Sequence, residues 1–239
     1  MTPVWERVGG TVGGCLMTCE HASNQLPTGW TWPESDQWIC GTHWAWDPGA
    51  AEVARGVATA IGATLVLSRF SRLLCDANRG PWERSWARPE AEGRAIGLNR
   101  GLGAPERARR HDLVWAPYHA AVETEAHRHA GLPVVSIHSF TPVYEGGPPR
   151  PMVFGVLFDR AEPVARRIAL ALQVSGLPVA LNEPWSGRDG LMYAPERAAR
   201  VTGGPCIEIE IRNDVAGDPV QRAAVVTAIA SALAAVGWA

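Results

Sequence analysis

No lysine occurs anywhere in the chain; all 22 basic residues are arginine. That excludes Schiff-base catalysis, a pyridoxal-phosphate lysine and the lysine of a Walker-type phosphate loop. No apolar run is long enough to span a bilayer. The opening residues, MTPVWERVGG, lack the basic-then-apolar pattern of a secretory leader. A surplus of either charge is also missing. The formal net charge is −2, so nothing general attracts nucleic acid or an anionic membrane. Cysteine is sparse and odd in number, at positions 15, 19, 40, 75 and 206, mostly inside apolar runs. Scattered thiols of this kind read as free and buried in a reducing compartment, so a cytoplasmic location is expected.

What is present suits a soluble enzyme. With 239 residues, 46% apolar and 19% charged, the chain can bury one sizeable core. No repeat, low-complexity tract or linker divides it, so a single domain over 1–239 is expected. Short apolar runs at 15–19, 63–67, 134–138, 152–158, 179–181 and 206–212 read as strands. Helical periods follow Asp47–Pro48, begin again at Pro105 with Pro117 as a kink or break, and cover 160–174 and 220–236. Asp47 is the expected N-cap of the first of these, with Pro48 at the first helical position. Residues 71–78 read as a short extended segment, and 24–46 as a folded loop rich in tryptophan. The arginine- and tryptophan-rich stretch 80–104 lacks a period and reads as a long excursion, a candidate lid over a site. Strands alternating with helices predict an α/β fold with a largely parallel, helix-covered sheet.

Polar clusters end several of these runs. VVSI stops on His138, and CLMTC stops on Glu20–His21. Strand ends at one sheet edge are where α/β proteins bind ligands. Two histidines with one carboxylate and an open position make a catalytic zinc site. His21 and His138, with Asp47 or Glu20, meet that count. The run CIEIEIR places Glu208, Glu210 and Arg212 on one strand face. Two acids inside a sheet are costly unless a cation stands between them. Glu210 could act as general base and an arginine could steady an oxyanion. Asp76–Ala77–Asn78–Arg79 offers an amide and a guanidinium fork for a substrate carboxylate, or simply an Asp76–Arg79 pair within a turn. Cys19 and His21 would share a face in an extended segment, as in a thiol amidase. The adjacent Glu20 opposes the thiolate that such chemistry needs.

In order, the segments CEHASNQLP, WDPGA, SRLLCDANR, PYH, SIHSFTPV, NEPW and IEIRND resemble the N-formylglutamate amidohydrolase family over about residues 15–215. The resemblance implies a three-layer α/β/α hydrolase fold with a mostly parallel mixed sheet. It also implies metal-dependent cleavage of a small N-acyl amino acid, typically N-formylglutamate to formate and glutamate. DANR and SIHS are more distantly similar to segments of zinc carboxypeptidases. That likeness implies His21 and His138 as metal ligands and Asn78–Arg79 as carboxylate binders, with Arg72 or Arg212 as the second cation. Glu210 takes the part of base. Those enzymes carry their acidic ligand three residues after the first histidine, where this chain has Asn24. Asp47 is then the favoured replacement and Glu20 the alternative. The expected partner is a small molecule, with no nucleic acid and no membrane.

Overall fold

Apolar, β-branched runs alternating with alanine-rich helices give a sheet covered on both faces. The computed structural model describes residues 3–239. Strands β1 (Trp5–Val8) and β2 (Leu16–Cys19) lead into helix α1 (Ala50–Ile61) and strand β3 (Thr64–Ser68). A small hairpin, β4 (Glu90–Ala91) and β5 (Arg94–Ala95), precedes α2 (Ala104–Arg110) and α3 (Ala116–Arg128). Then come β6 (Val134–Phe140), β7 (Phe154–Leu157), α4 (Glu162–Gln173) and β8 (Val179–Leu181). The chain closes with α5 (Tyr193–Thr202), β9 (Cys206–Arg212), α6 (Asn213–Gly217) and α7 (Pro219–Ala235).

The seven-stranded sheet has the order β1-β3-β2-β6-β9-β7-β8. Its centre, β3-β2-β6-β9, is parallel, β1 and β7 run antiparallel to their inner neighbours, and β8 is parallel to β7. Alternation along the strands sorts side chains between two cores. Met17, Leu65, Ile137, Ile207, Ile209 and Ile211 pack with α1, α4 and α7 on one face. Leu16, Val66 and Val134 pack with α3 and α5 on the other. Each such side chain, taken from water, contributes about 1.5–3 kcal/mol. The result is a three-layer α/β/α sandwich.

Three local expectations need correction, and one strand was not expected. The segment 71–78 is a series of turns, because its backbone groups bond across turns, as Leu74 N does to Ser71 O. Helix α1 begins at Ala50, capped by Gly49 at φ 82° rather than by Asp47. Asp47–Pro48–Gly49 forms a turn closed by Ala50 N donating to Asp47 O, which frees the Asp47 carboxylate. Pro117 does not break its helix. A π turn over His111–Trp115 joins α2 to α3, and Ala116 N donates five residues back to His111 O. The wider turn accommodates a ring that has no N–H to give. Finally, β1 pairs with β3 as an edge strand that the pattern of Trp5–Val8 did not announce.

The excursion after residue 80 is packed down. Ala91 and Ile96 join Ile39, Trp44, Ala45 and Leu73 in a third apolar cluster. Buried Asp36 accepts from Gly97 N and Leu98 N, both at 2.7 Å. The tryptophan loop and the excursion thus form one wall beside the strand ends.

Candidate metal and hydrolytic site

Strands β2 and β6 are parallel neighbours, so His21, just past β2, and His138, in β6, reach the same sheet edge. Their rings stand edge to face, with centroids 4.7 Å apart. The freed Asp47 carboxylate enters between them. Its Oδ2 lies 2.9 Å from His138 Nδ1 and 3.4 Å from His21 Nδ1, and it accepts from Ser139 N at 3.2 Å. One donor atom each from His21, Asp47 and His138 lies within 4.8 Å of the others. His138, Glu208 and Glu210 satisfy the same criterion. His138 belongs to both groups, with Nδ1 toward Asp47 and Nε2 3.5 Å from Glu208 Oε2.

Each imidazole is held from behind by a second carboxylate. His21 Nε2 donates to Asp76 Oδ1 at 2.7 Å, and His138 Nε2 to Glu20 Oε2 at 2.9 Å. Glu20 is itself fixed by the hydroxyls of Ser136 at 2.5 Å and Tyr118 at 3.2 Å. Two Nδ1 atoms facing a carboxylate oxygen, with both Nε2 atoms anchored, fit a catalytic divalent ion such as zinc. All these residues are buried, so solvent does little to weaken their interactions.

The electrostatics divide the acids into two sets. Burial raises the Glu20 carboxyl, but hydrogen bonds from His138 and Ser136 outweigh it and hold the pKa at about 2. Asp47 follows the same logic through His21 and His138 and stays ionised. Burial would depress the His138 imidazole; Glu208, Asp47 and Glu20 reverse this and hold its pKa well above the usual value. Glu210 goes the other way. Burial, reinforced by Glu208 and Asp47 against the pull of His138, pushes it up to about 8. Register places Glu210 directly opposite His138 across β6 and β9. Its Oε2 is buried and has no hydrogen-bond partner among the described residues.

These groups line a cleft of about 240 Å³. Of the residues expected from sequence, it brings together His21, Asp47, His138, Glu210, Asn78, Arg79 and Arg72. Glu20 does not line it, because it stands behind His138. Arg212 is a correction. It shares a strand face with Glu210, but the chain turns into α6 immediately after it. There Nε binds Asp214 at 2.8 Å, away from the cleft. Asp76 pairs with Arg72 and His21, not with the Arg79 side chain. Cys19 points into the opposite core, and burial raises its thiol far above the usual range. That removes the thiol-amidase reading. Sequence reasoning missed Asp76 as a histidine partner, although it lies in the DANR segment, and also Arg88 and Arg150 as cleft residues; Glu208, marked there beside Glu210, does line the cleft. Arg88 and Arg150 stand in loops without a period, so no pattern marked them.

The arrangement is that of an α/β/α hydrolase with its polar site at the strand ends. Its sequence matches the family model for N-formylglutamate amidohydrolase over residues 13–216, and the chain belongs to that family. It is therefore a hydrolase acting on amides. Among solved structures, it is similar to the gene product Atu2144 from Agrobacterium tumefaciens, with 32% identity and a TM-score of 0.87. That match covers 98% of this chain and 94% of the other. N-formylglutamate amidohydrolase from Ralstonia eutropha JMP134 shares the fold at 20% identity and TM-score 0.60, over 98% and 96% of the two chains. A search of curated proteins found no match. Among the described residues, no helix is long and apolar enough to cross a membrane.

Proposed function

We propose that the protein is a metal-dependent amidohydrolase that cleaves a small N-acyl amino acid. Family membership favours N-formyl-L-glutamate, giving formate and glutamate. One observation carries the reading: two Nδ1 atoms converge on Asp47 in the cleft where Glu210 holds a buried carboxyl oxygen that has no partner among the described residues. His21, Asp47 and His138 would hold the ion, with zinc the best match to two imidazoles and one carboxylate. Such an ion polarises the amide carbonyl and makes a water acidic enough to attack near neutral pH.

The chain's own groups supply the remaining chemistry. Glu210 takes a proton from the attacking water and returns it to the leaving nitrogen. Its buried Oε2, without a partner among the described residues and opposite His138 across β6 and β9, is free to serve both halves of that transfer. Arg72, held by Asp76 at 2.9 Å, directs positive charge toward the developing oxyanion. Arg79 receives the α-carboxylate. Its guanidinium is braced by the carbonyls of Asn78 at 2.6 Å and Leu191 at 3.0 Å. The Asn78 amide donates to Glu208 at 3.3 Å and keeps a second N–H for the substrate.

Metal analysis combined with formate release from N-formylglutamate tests this. His138→Ala should lose the metal, whereas Glu210→Gln should keep it and lose turnover by about 10²–10⁴-fold. Full activity in Glu210→Gln overturns the assignment of the base.

A further inference from the structure

The four guanidinium groups lining the cleft are not equivalent. Arg72 is neutralised by Asp76 and Asp47, at 2.9 and 3.5 Å. Arg79 is braced by backbone carbonyls and has Glu83 at 4.0 Å. Arg88 and Arg150 line the same cleft, yet neither has an ion-pair partner among the described residues. Burial lowers the pKa of both and outweighs the nearby groups that raise it, Glu210 and Tyr144 for Arg150 and Tyr144 and Asp76 for Arg88.

Aromatic faces keep them there. Arg88 lies over Trp44, 5.1 Å from its centroid. Arg150 lies over Tyr144 at 5.1 Å and Trp185 at 4.9 Å, and donates to Thr141 O at 3.2 Å. Ring faces hold a guanidinium by its charge and flat surface, and leave N–H donors on its rim for an anion. An apolar substrate arm would desolvate these cations without pairing them, which is costly. A carboxylate would satisfy them.

We propose that Arg88 and Arg150 form a second anion subsite, separate from Arg79, that takes the side-chain carboxylate of the N-acyl amino acid. The subsite rests on the amidohydrolase reading for its substrate, but its binding can be measured without turnover. The pair makes the enzyme selective for acidic over neutral side chains.

Two measurements test it. The first is calorimetric binding of glutarate and of butyrate to the wild-type, metal-loaded protein. Glutarate should bind about 10–100-fold more tightly, the span expected for hydrogen bonds to a charged group. Equal affinities overturn the subsite whether or not the protein turns over. The second is the ratio of kcat/KM for N-formylglutamate over N-formylglutamine. Arg88→Met and Arg150→Met should each collapse that ratio by about tenfold or more. Arg88→Lys and Arg150→Lys keep the charge without the planar fork and should fall between. A ratio unchanged in folded variants, or a wild-type preference for N-formylphenylalanine, overturns the proposal. Hydrolysis failing on every substrate while glutarate still outbinds butyrate would count against the amidohydrolase reading and leave the subsite standing.

Discussion

Asp76→Asn isolates what the outer carboxylates do for the inner histidines. In the native protein Asp76 Oδ1 accepts from His21 Nε2 at 2.7 Å and from Asn78 N at 2.8 Å. Its Oδ2 accepts from Arg72 Nε at 3.2 Å and Nη2 at 2.9 Å. Burial works against its charge, and the Arg72 guanidinium with the hydrogen bond from His21 more than offsets that, holding its pKa well below the usual range. Asparagine keeps the shape and one acceptor. If the amide oxygen faces His21, its NH₂ confronts the Arg72 donors; if it turns over, His21 Nε2 loses its acceptor. Either way the ring that presents Nδ1 to the metal position is less firmly held.

Removing a ligand-orienting partner typically lowers metal affinity 10–100-fold, which is about 1.4–2.8 kcal/mol. Stability of the metal-free protein should fall by about 1–3 kcal/mol through the misplaced donor at Arg72. Competition for zinc against a chromophoric chelator reads the first quantity, and a urea melt reads the second. A folded variant that binds zinc within about threefold of wild type would show that Asp76 does not set the geometry of His21.

Two further outcomes are expected. Burial pushes the Cys15 thiol up to about 12 and raises Cys75 as well, whereas Cys40 is only half-buried. A thiol reagent at neutral pH should therefore modify Cys40 first and leave Cys15, Cys19 and Cys75 untouched until unfolding; early labelling of Cys19 would contradict its place in the core. Asp36→Ala strips the acceptor from Gly97 N and Leu98 N and should cost about 2–5 kcal/mol in a denaturant melt, while a loss under 0.5 kcal/mol would mean that water replaces the carboxylate without penalty.

The placement of the cleft residues was legible in the sequence where period and strand ends carry it. CIEIEIR forms β9 over its full expected length, and its alternation turns Glu208 and Glu210 toward one face and three isoleucines toward the other. What failed was anything decided by the next turn of the chain. Asp218–Pro219 and Asp47–Pro48 look alike in sequence. Asp218 does cap α7, accepting from Val220 N and Gln221 N, because the helix follows directly. After Pro48 comes Gly49 at positive φ; the chain swings first, and the Asp47 carboxylate is left for the histidines. Arg212 failed for a similar reason: Asp214, two residues on, captures a side chain that β-strand period had assigned to the cleft.

The walls of the cleft were illegible for a deeper reason, and it bears on how selectivity and chemistry are joined. Residues 80–103 have no period because their order comes from single buried polar groups with distant partners. Asn99 donates to Leu73 O at 2.9 Å and to Arg88 O at 2.7 Å, and Arg110 donates to Asn99 Oδ1 at 2.5 Å and to Leu74 O at 2.8 Å. One amide therefore ties the backbone of Arg88 to the turn that carries Arg72 and Asp76. Buried polar networks of this kind hold a single arrangement, since each displaced member leaves an unsatisfied group. Arg88 cannot shift independently of the turn that orients His21 through Asp76. On the proposed function, the loops that would choose the substrate and the strand ends that would cleave it are thus positioned by the same few hydrogen bonds.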